Sequence, residues 1–255
     1  MTTLSVPTVS EVVEYNVNND KHERNSPLIL WCRTHWCNIL SEFVSTLMLL
    51  LFGCMTCLPI TVVKSAIYSS LGFGMVVMFN VQIFGHISGA HMNPAVTLAT
   101  VIWGTTSVPV GIAYFIVQCA GSIVGYGILD ALTSIDLVEN AVCVTQPFPG
   151  QSVIQSFGVE MAITVALILI VCALLDPVNQ EKQDSASIKF GLTIVGLSLV
   201  GGPLTGASMN PARTLGPAIW TNIWTDHWVY WAGPICGSIL AATLYKFIFL
   251  KKPKG

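Results

Sequence analysis

Ser88–Ala99 reads SGAHMNPAVTLA, and Thr205–Gly216 reads TGASMNPARTLG. The two stretches lie 117 positions apart, agree at eight of twelve positions and share the core Met-Asn-Pro-Ala. Asn is a strong helix N-cap, and Pro is favoured at the first helical position, where its missing N–H would have no partner anyway. Asn93-Pro94-Ala95 and Asn210-Pro211-Ala212 are therefore read as two helix starts. One mismatch changes the chemistry: Val96 in the first copy stands opposite Arg213 in the second.

The chain around these boxes is built for lipid. Of its 255 residues, 53% are apolar and only 9% charged, against roughly a quarter charged in ordinary globular proteins. Six stretches read as full spans: 36–60, 65–85, 107–129, 153–175, 187–204 and 227–249. Each is near the roughly 20 residues that cross a hydrocarbon core. The apolar tails behind the boxes, Ala95–Trp103 and Ala212–Trp220, are too short to cross and read as re-entrant half-helices. The expected fold is thus all-α, with six transmembrane helices and two half-helices. Net charge of −2 with no basic stripe predicts no nucleic-acid partner. The polar, acidic first 30 residues predict no cleavable signal segment.

Six spans put both termini on one side. Nine of eleven Lys/Arg residues fall at or beside that side, whereas the loop after the third span carries Asp130, Asp136 and Glu139 and no basic residue. The positive-inside rule places the termini in the cytosol. Residues 1–32 are expected to be a disordered cytosolic tail, 33–250 the membrane domain and 251–255 a short cytosolic tail. Within the domain, halves 33–130 and 153–250 are joined by an extracellular loop. Each box follows two spans and precedes a third, so the halves enter the membrane with opposite orientation. Such inverted repeats place a site near the bilayer midplane. The repetition extends past the boxes, since Glu42 and Glu160 are 118 positions apart.

Two half-helices capped at the midplane from opposite sides bring their N-termini together. Each carries roughly +0.5 elementary charge, and each Asn amide offers N–H donors. The product is a narrow, electropositive site for uncharged ligands. The stretches before the caps, Gly85–Met92 and Gly201–Met209, read as extended backbone whose carbonyls line a wet path. Gly85, Gly89, Gly201, Gly202 and Gly206 are expected to allow close approach to neighbouring helices.

Paired Asn-Pro-Ala boxes, six spans, twin glutamates and an Arg after the second box resemble the aquaporins, over about 33–250. The resemblance implies a right-handed bundle, a homotetramer with one pore per subunit, and a plasma-membrane location. It implies that Arg213 belongs to an aromatic/arginine constriction that repels cations, and that Glu42 and Glu160 support the re-entrant loops. By spacing from the boxes, Phe73 is the aromatic partner and Ala207 the position where many water channels have Cys. Ser198 stands where water-selective members have His. Losing an imidazole there widens the constriction and admits small polyols or urea. Thr214 replaces the Asp of ordinary glycerol facilitators, while Ala218 and Tyr230-Trp231 resemble the water-channel side. The combination resembles the insect entomoglyceroporins. The implied function is a passive channel for water and small uncharged solutes, with a strictly water-selective pore as the alternative.

Other candidates are weaker. His86 is expected to pack and hydrogen-bond to loop backbone, and His91 to line the cytoplasmic vestibule with a pH-dependent gate as one reading. The eight cysteines mostly read as small hydrophobes, Cys54 and Cys57 included. No catalytic triad, phosphate loop or metal spacing appears, so no enzyme, cofactor or metal is expected.

Overall fold

The structure, a computed structural model, describes residues 26–60 and 66–250. Expectations for residues 1–25, for Lys64 and for 251–255 lie outside the described residues, as does the Lys182 side chain. The chain divides into two units, Met1–Trp36 and Cys37–Gly255. Of the first, the described part is the opening of helix α1 (Pro27–Met55). Ser26 starts that helix, accepting from the Ile29 N–H at 3.3 Å, with Pro27 behind it. Residues 27–32 are therefore helical where a disordered tail was expected, because a cap and an N1 proline precede the apolar run Leu28–Trp31.

The second unit contains the rest: α2 (Ala66–Ser88), α3 (Pro94–Trp103), α4 (Val108–Leu132), α5 (Val153–Leu175), α6 (Ala186–Thr205), α7 (Pro211–Thr221) and α8 (Val229–Leu244). A 3-10 segment, Pro177–Ser185, joins α5 to α6, and α8 runs on into a π turn, Tyr245–Phe249. Among the described residues, six segments are long and apolar enough to cross a membrane. At 10 and 11 residues, α3 and α7 are half that reach. All described elements are helical, as expected.

Local chemistry sets the boundaries. Ser152 and Gln155 form a capping box at the start of α5. Gly104 closes α3 with φ of 104°, and Lys246 Nζ donates to the carbonyls of Ile102 and Trp103 at 2.6 and 3.0 Å, placing a cation on that helix C-terminus. The extended stretches are shorter than expected. Helix α2 continues through Gly85 to Ser88, and α6 continues through Pro203 to Thr205. Pro203 falls in the last turns of α6, and Gly206 ends it with φ of 82° and its N–H on the Gly202 carbonyl. Among the described residues Gly85 and Gly202 accordingly make no close approach to a neighbouring helix, whereas a Cβ on Gly201 would sit 2.8 Å from Ile163.

The two halves interlock. α2 packs on α6, and α5 packs on α8. Each half-helix also packs on the third spanning helix of the other half, α3 on α8 and α7 on α4. Glycines bring the first and third spans of each half into contact. A Cβ on Gly121 or Gly125 would lie 2.4 or 2.3 Å from the Phe43 or Leu47 carbonyl oxygen, and one on Gly233 or Gly237 would meet Glu160 or Met161. Small residues at such crossings are how helices pack without a hydrophobic drive in lipid.

Candidate functional site

The helix starts form as their sequence demands. Asn93 Oδ1 accepts from the Ala95 N–H at 2.8 Å, and Asn210 Oδ1 from the N–H groups of Ala212 and Arg213 at 3.0 and 3.2 Å. Each amide nitrogen then reaches across the repeat. Asn93 Nδ2 donates to the Met209 carbonyl and Asn210 Nδ2 to the Met92 carbonyl, both at 2.8 Å. The boxes are thus latched tip to tip. Since a carboxamide nitrogen carries two hydrogens, each latch leaves one N–H for the space between.

The approach to each cap is left-handed. Gly89, Ala90 and Met92 have φ of 92°, 48° and 52°, and Gly206, Ala207 and Met209 have 82°, 47° and 52°. Non-glycine residues in this region cost about 1–2 kcal/mol each, so the loops need external support. Glu42 supplies it in the first half: its carboxyl oxygens accept from the N–H groups of His91 and Met92 at 2.8 Å, from Ser88 Oγ at 2.6 Å and from Gln118 Nε2 at 2.8 Å. Glu160 supplies it in the second, accepting from Ser208 N–H at 2.9 Å, Met209 N–H at 2.8 Å and Thr205 Oγ1 at 2.6 Å. Both glutamates are fully buried, where groups left without hydrogen bonds are costly.

Four supports carry no motif. Ser238 Oγ donates to the Ala95 carbonyl at 2.6 Å, and Ser122 Oγ donates to the Ala212 carbonyl. Tyr114 and Tyr230 hydroxyls donate to the carbonyls of Ser88 and Thr205, at 3.2 and 2.9 Å. Apart from the Tyr230-Trp231 pair, their sequence signal is a common spacing of 116, from Tyr114 to Tyr230 and from Ser122 to Ser238, invisible until the repeat is aligned.

Between the latches and the 133–152 loop lies a cavity of about 270 Å³. Phe73, Ser198, Ala207 and Arg213 all line it, as do Asn93 and Asn210. The sequence-predicted filter residues, from three separate segments, thus meet in one space. The Arg213 guanidinium lies 4.9 Å from the Phe73 ring centroid, in cation–π range, and Arg213 Nη1 donates to the Cys143 carbonyl at 2.5 Å. Thr214 accepts from Thr145 Oγ1 at 3.0 Å and shares a 2.5 Å hydrogen bond with Ser208, tying the half-helix to both loops.

A second cavity, of about 630 Å³, lies beyond. His91, Val96 and Phe190 line both and mark the boundary. The His91 ring is held by Thr97 Oγ1, 3.1 Å from Nδ1, and by edge contact with Tyr114. His86 does not bond the loop backbone as expected. It sits exposed in the last turn of α2, on the wall of this second cavity, because the helix carries it past the loop.

The cysteine reading needs one correction. Cys54 is joined by a disulfide to Cys143, 89 positions on, rather than packing as a free thiol. Cys57, its C-x-x-C neighbour, stays free. Sequence spacing alone does not select this partner. Among the described residues no group of three or more His, Cys, Asp or Glu gathers as a metal site would.

The profile of the family described as "Major intrinsic protein" matches residues 31–245. The chain belongs to the major intrinsic protein family. Its relatives include Aquaporin-4 of Mus musculus, 36% identical over 227 residues covering 86% of this chain and 69% of that one. They also include the Lens fiber major intrinsic protein of Gallus gallus, 36% identical over 225 residues, covering 86% and 84% respectively. The fold is that of the aquaglyceroporin from Plasmodium falciparum, with a TM-score of 0.75 at 22% identity over 84% of this chain and 97% of that one. Membership of the major intrinsic protein family, with six apolar spans, makes the chain an integral multi-pass channel protein and not an enzyme.

Proposed function

We propose that this channel passes water together with small uncharged solutes such as glycerol and urea, while excluding protons and ions. The observation that carries the reading is the cavity shared by Phe73, Ser198, Ala207 and Arg213. Two of those four wall positions hold small side chains, a hydroxymethyl and a methyl. A filter with an imidazole at position 198 would be narrower by a ring and would hold a further fixed donor. Sites of this kind reject solutes through size and through polar groups left unpaired, and Ser198 relaxes both. In this reading Phe73, Ser198, Ala207 and Arg213 form the selectivity filter.

Charge exclusion follows from the caps and Arg213. Two half-helix N-termini, the free Asn N–H groups and a guanidinium all present positive potential to the path. A water molecule between Asn93 and Asn210 turns its oxygen toward both amides, which interrupts the donor–acceptor chain that proton hopping needs. Glu42 and Glu160 act as loop supports, which the seven hydrogen bonds they accept favour. His91 is read as a vestibule residue at the narrow join of the two cavities. We place the chain in the plasma membrane as a homotetramer, with 33–250 as the channel domain and both termini cytosolic. The acidic loop after α4 and the cluster of Lys and Arg at the opposite ends support that orientation.

A second reading is a strictly water-selective pore, and the contact of Phe73 with Arg213 favours it, since those two bulky groups face the same space. Paired stopped-flow measurements on proteoliposomes decide between them. Glycerol and urea uptake well above protein-free vesicles supports the proposed range. Water flux without either solute leaves the water-selective pore, and a protein-dependent proton current overturns the exclusion mechanism.

A further inference from the structure

The loop between α4 and α5 enters the filter cavity with Cys143 and Val144. Its course is not one that L residues adopt freely: Ala141 and Cys143 have φ of 44° and 63°, where a non-glycine residue costs about 1–2 kcal/mol. Besides the bond from Arg213, three attachments to the helices hold its 141–145 stretch. Tyr126 Oη donates to the Val142 carbonyl at 2.8 Å, and Thr145 Oγ1 donates to Thr214. The third is the disulfide from Cys143 to Cys54, which is fully buried in α1. The carbonyl of that same Cys143 accepts from Arg213 Nη1. One residue therefore carries both the covalent anchor and the acceptor for the filter arginine.

We propose that the Cys54–Cys143 disulfide is a positioning element of the filter, fixing the Cys143 carbonyl where it draws the Arg213 guanidinium to the wall and so setting which solutes pass. This rests on the reading of Arg213 as a filter residue. A guanidinium has five N–H donors and no acceptor, and at membrane depth it turns toward whatever fixed acceptor or water lies within reach. With Cys143 tethered, that acceptor is the wall. With the tether cut, residues 141–143 relax from the left-handed region and the carbonyl leaves its place. Arg213 then turns to the water in the lumen, and its head group obstructs a polyol before it obstructs water. The loop is also suitably placed for a lasting disulfide, because the extracellular side, to which its acidic residues assign it, is oxidising.

The test uses full-length protein in proteoliposomes: wild type, Cys54→Ser with Cys143→Ser, Arg213→Ala, and the three substitutions combined. Water and glycerol permeabilities are each divided by the number of folded channels. Loss of the disulfide is expected to lower the glycerol-to-water ratio about threefold or more, and to leave it unchanged when Arg213 is already Ala. A disulfide that only strengthened the fold would reduce the number of channels and move both permeabilities together. An unchanged ratio on disulfide loss, with Arg213→Ala still altering it, overturns the inference alone. An unchanged ratio in Arg213→Ala itself overturns the filter reading. Wild type reduced after reconstitution by a water-soluble phosphine, with free Cys54 and Cys143 confirmed by alkylation of a parallel sample, repeats the comparison on protein that folded with the bond intact. There too an unchanged ratio counts against the proposal. If wild type excludes glycerol, the polyol reading fails and water permeability per channel carries the comparison: it must fall on disulfide loss in wild type and not in Arg213→Ala.

Discussion

In the first half, Glu42 receives the N–H groups of His91 and Met92, Asn93 caps α3, and Ser238 holds the Ala95 carbonyl. In the second, Glu160 receives the N–H groups of Ser208 and Met209, Asn210 caps α7, and Ser122 holds the Ala212 carbonyl. Bond for bond, these frames repeat. The side chains facing the path do not. One turn inside its helix the first half carries Val96, at the join of the two cavities, while the second half carries Arg213, stacked on Phe73 and tied to the 133–152 loop. In the proposed reading, the frame of the pore comes from what the halves share, and its selection from where they differ.

The difference also reaches the supports. Gln118 adds a donor to Glu42, whereas the corresponding residue in the second half is Pro234, which has no such group. The second half has Thr145 on Thr214 instead, while its Ser208–Thr214 bond matches His91 on Thr97 in the first. Each loop is therefore tied down partly by its own means.

The largest expected effect comes from breaking the shared frame. Glu42→Ala or Glu160→Ala leaves two buried N–H groups without an acceptor, at about 1–3 kcal/mol for each group. Both variants should lose most folded channel in size-exclusion and thermal-unfolding measurements. A Glu160→Ala protein with wild-type Tm would remove the support role. Next comes Arg213→Val, which gives the second half the residue of the first. Glycerol permeability should rise about tenfold relative to water, with a measurable cation leak. Selectivity identical to wild type would show that the halves differ for some other purpose. Smallest are the serines. Ser238→Ala removes one hydrogen bond and should cost about 1 kcal/mol, and Ser122→Ala about 2 kcal/mol because Ser122 also accepts from the Gly216 N–H. Chemical denaturation that ranks them the other way would contradict the extra weight given to the Gly216 bond.

Much of this frame is legible in the sequence because it rests on local rules. Asn-Pro fixes a helix start wherever it falls, a ten-residue apolar tail cannot span, and Glu42 and Glu160 share the spacing of the boxes. The rest depends on crossings in space. Ser122 and Ser238 are unremarked small residues in apolar helices until a half-helix from the other half lies against them. Cys54 has seven possible partners by sequence, and only the path of the loop brings Cys143 to it. Reading extended backbone from Gly85 and Gly201 onward starts both loops too early. In the fold α2 and α6 run on to Ser88 and Thr205, and the left-handed turn waits for Gly89 and Gly206.

The most direct measurement is the ratio of glycerol to water permeability in wild type and Ser198→His, per folded channel in the same vesicles. The account predicts that wild type passes glycerol and that the variant keeps its water permeability while losing glycerol by about tenfold or more. Equal ratios in the two proteins would contradict it, and would show that the residue at position 198 does not set the width of this pore.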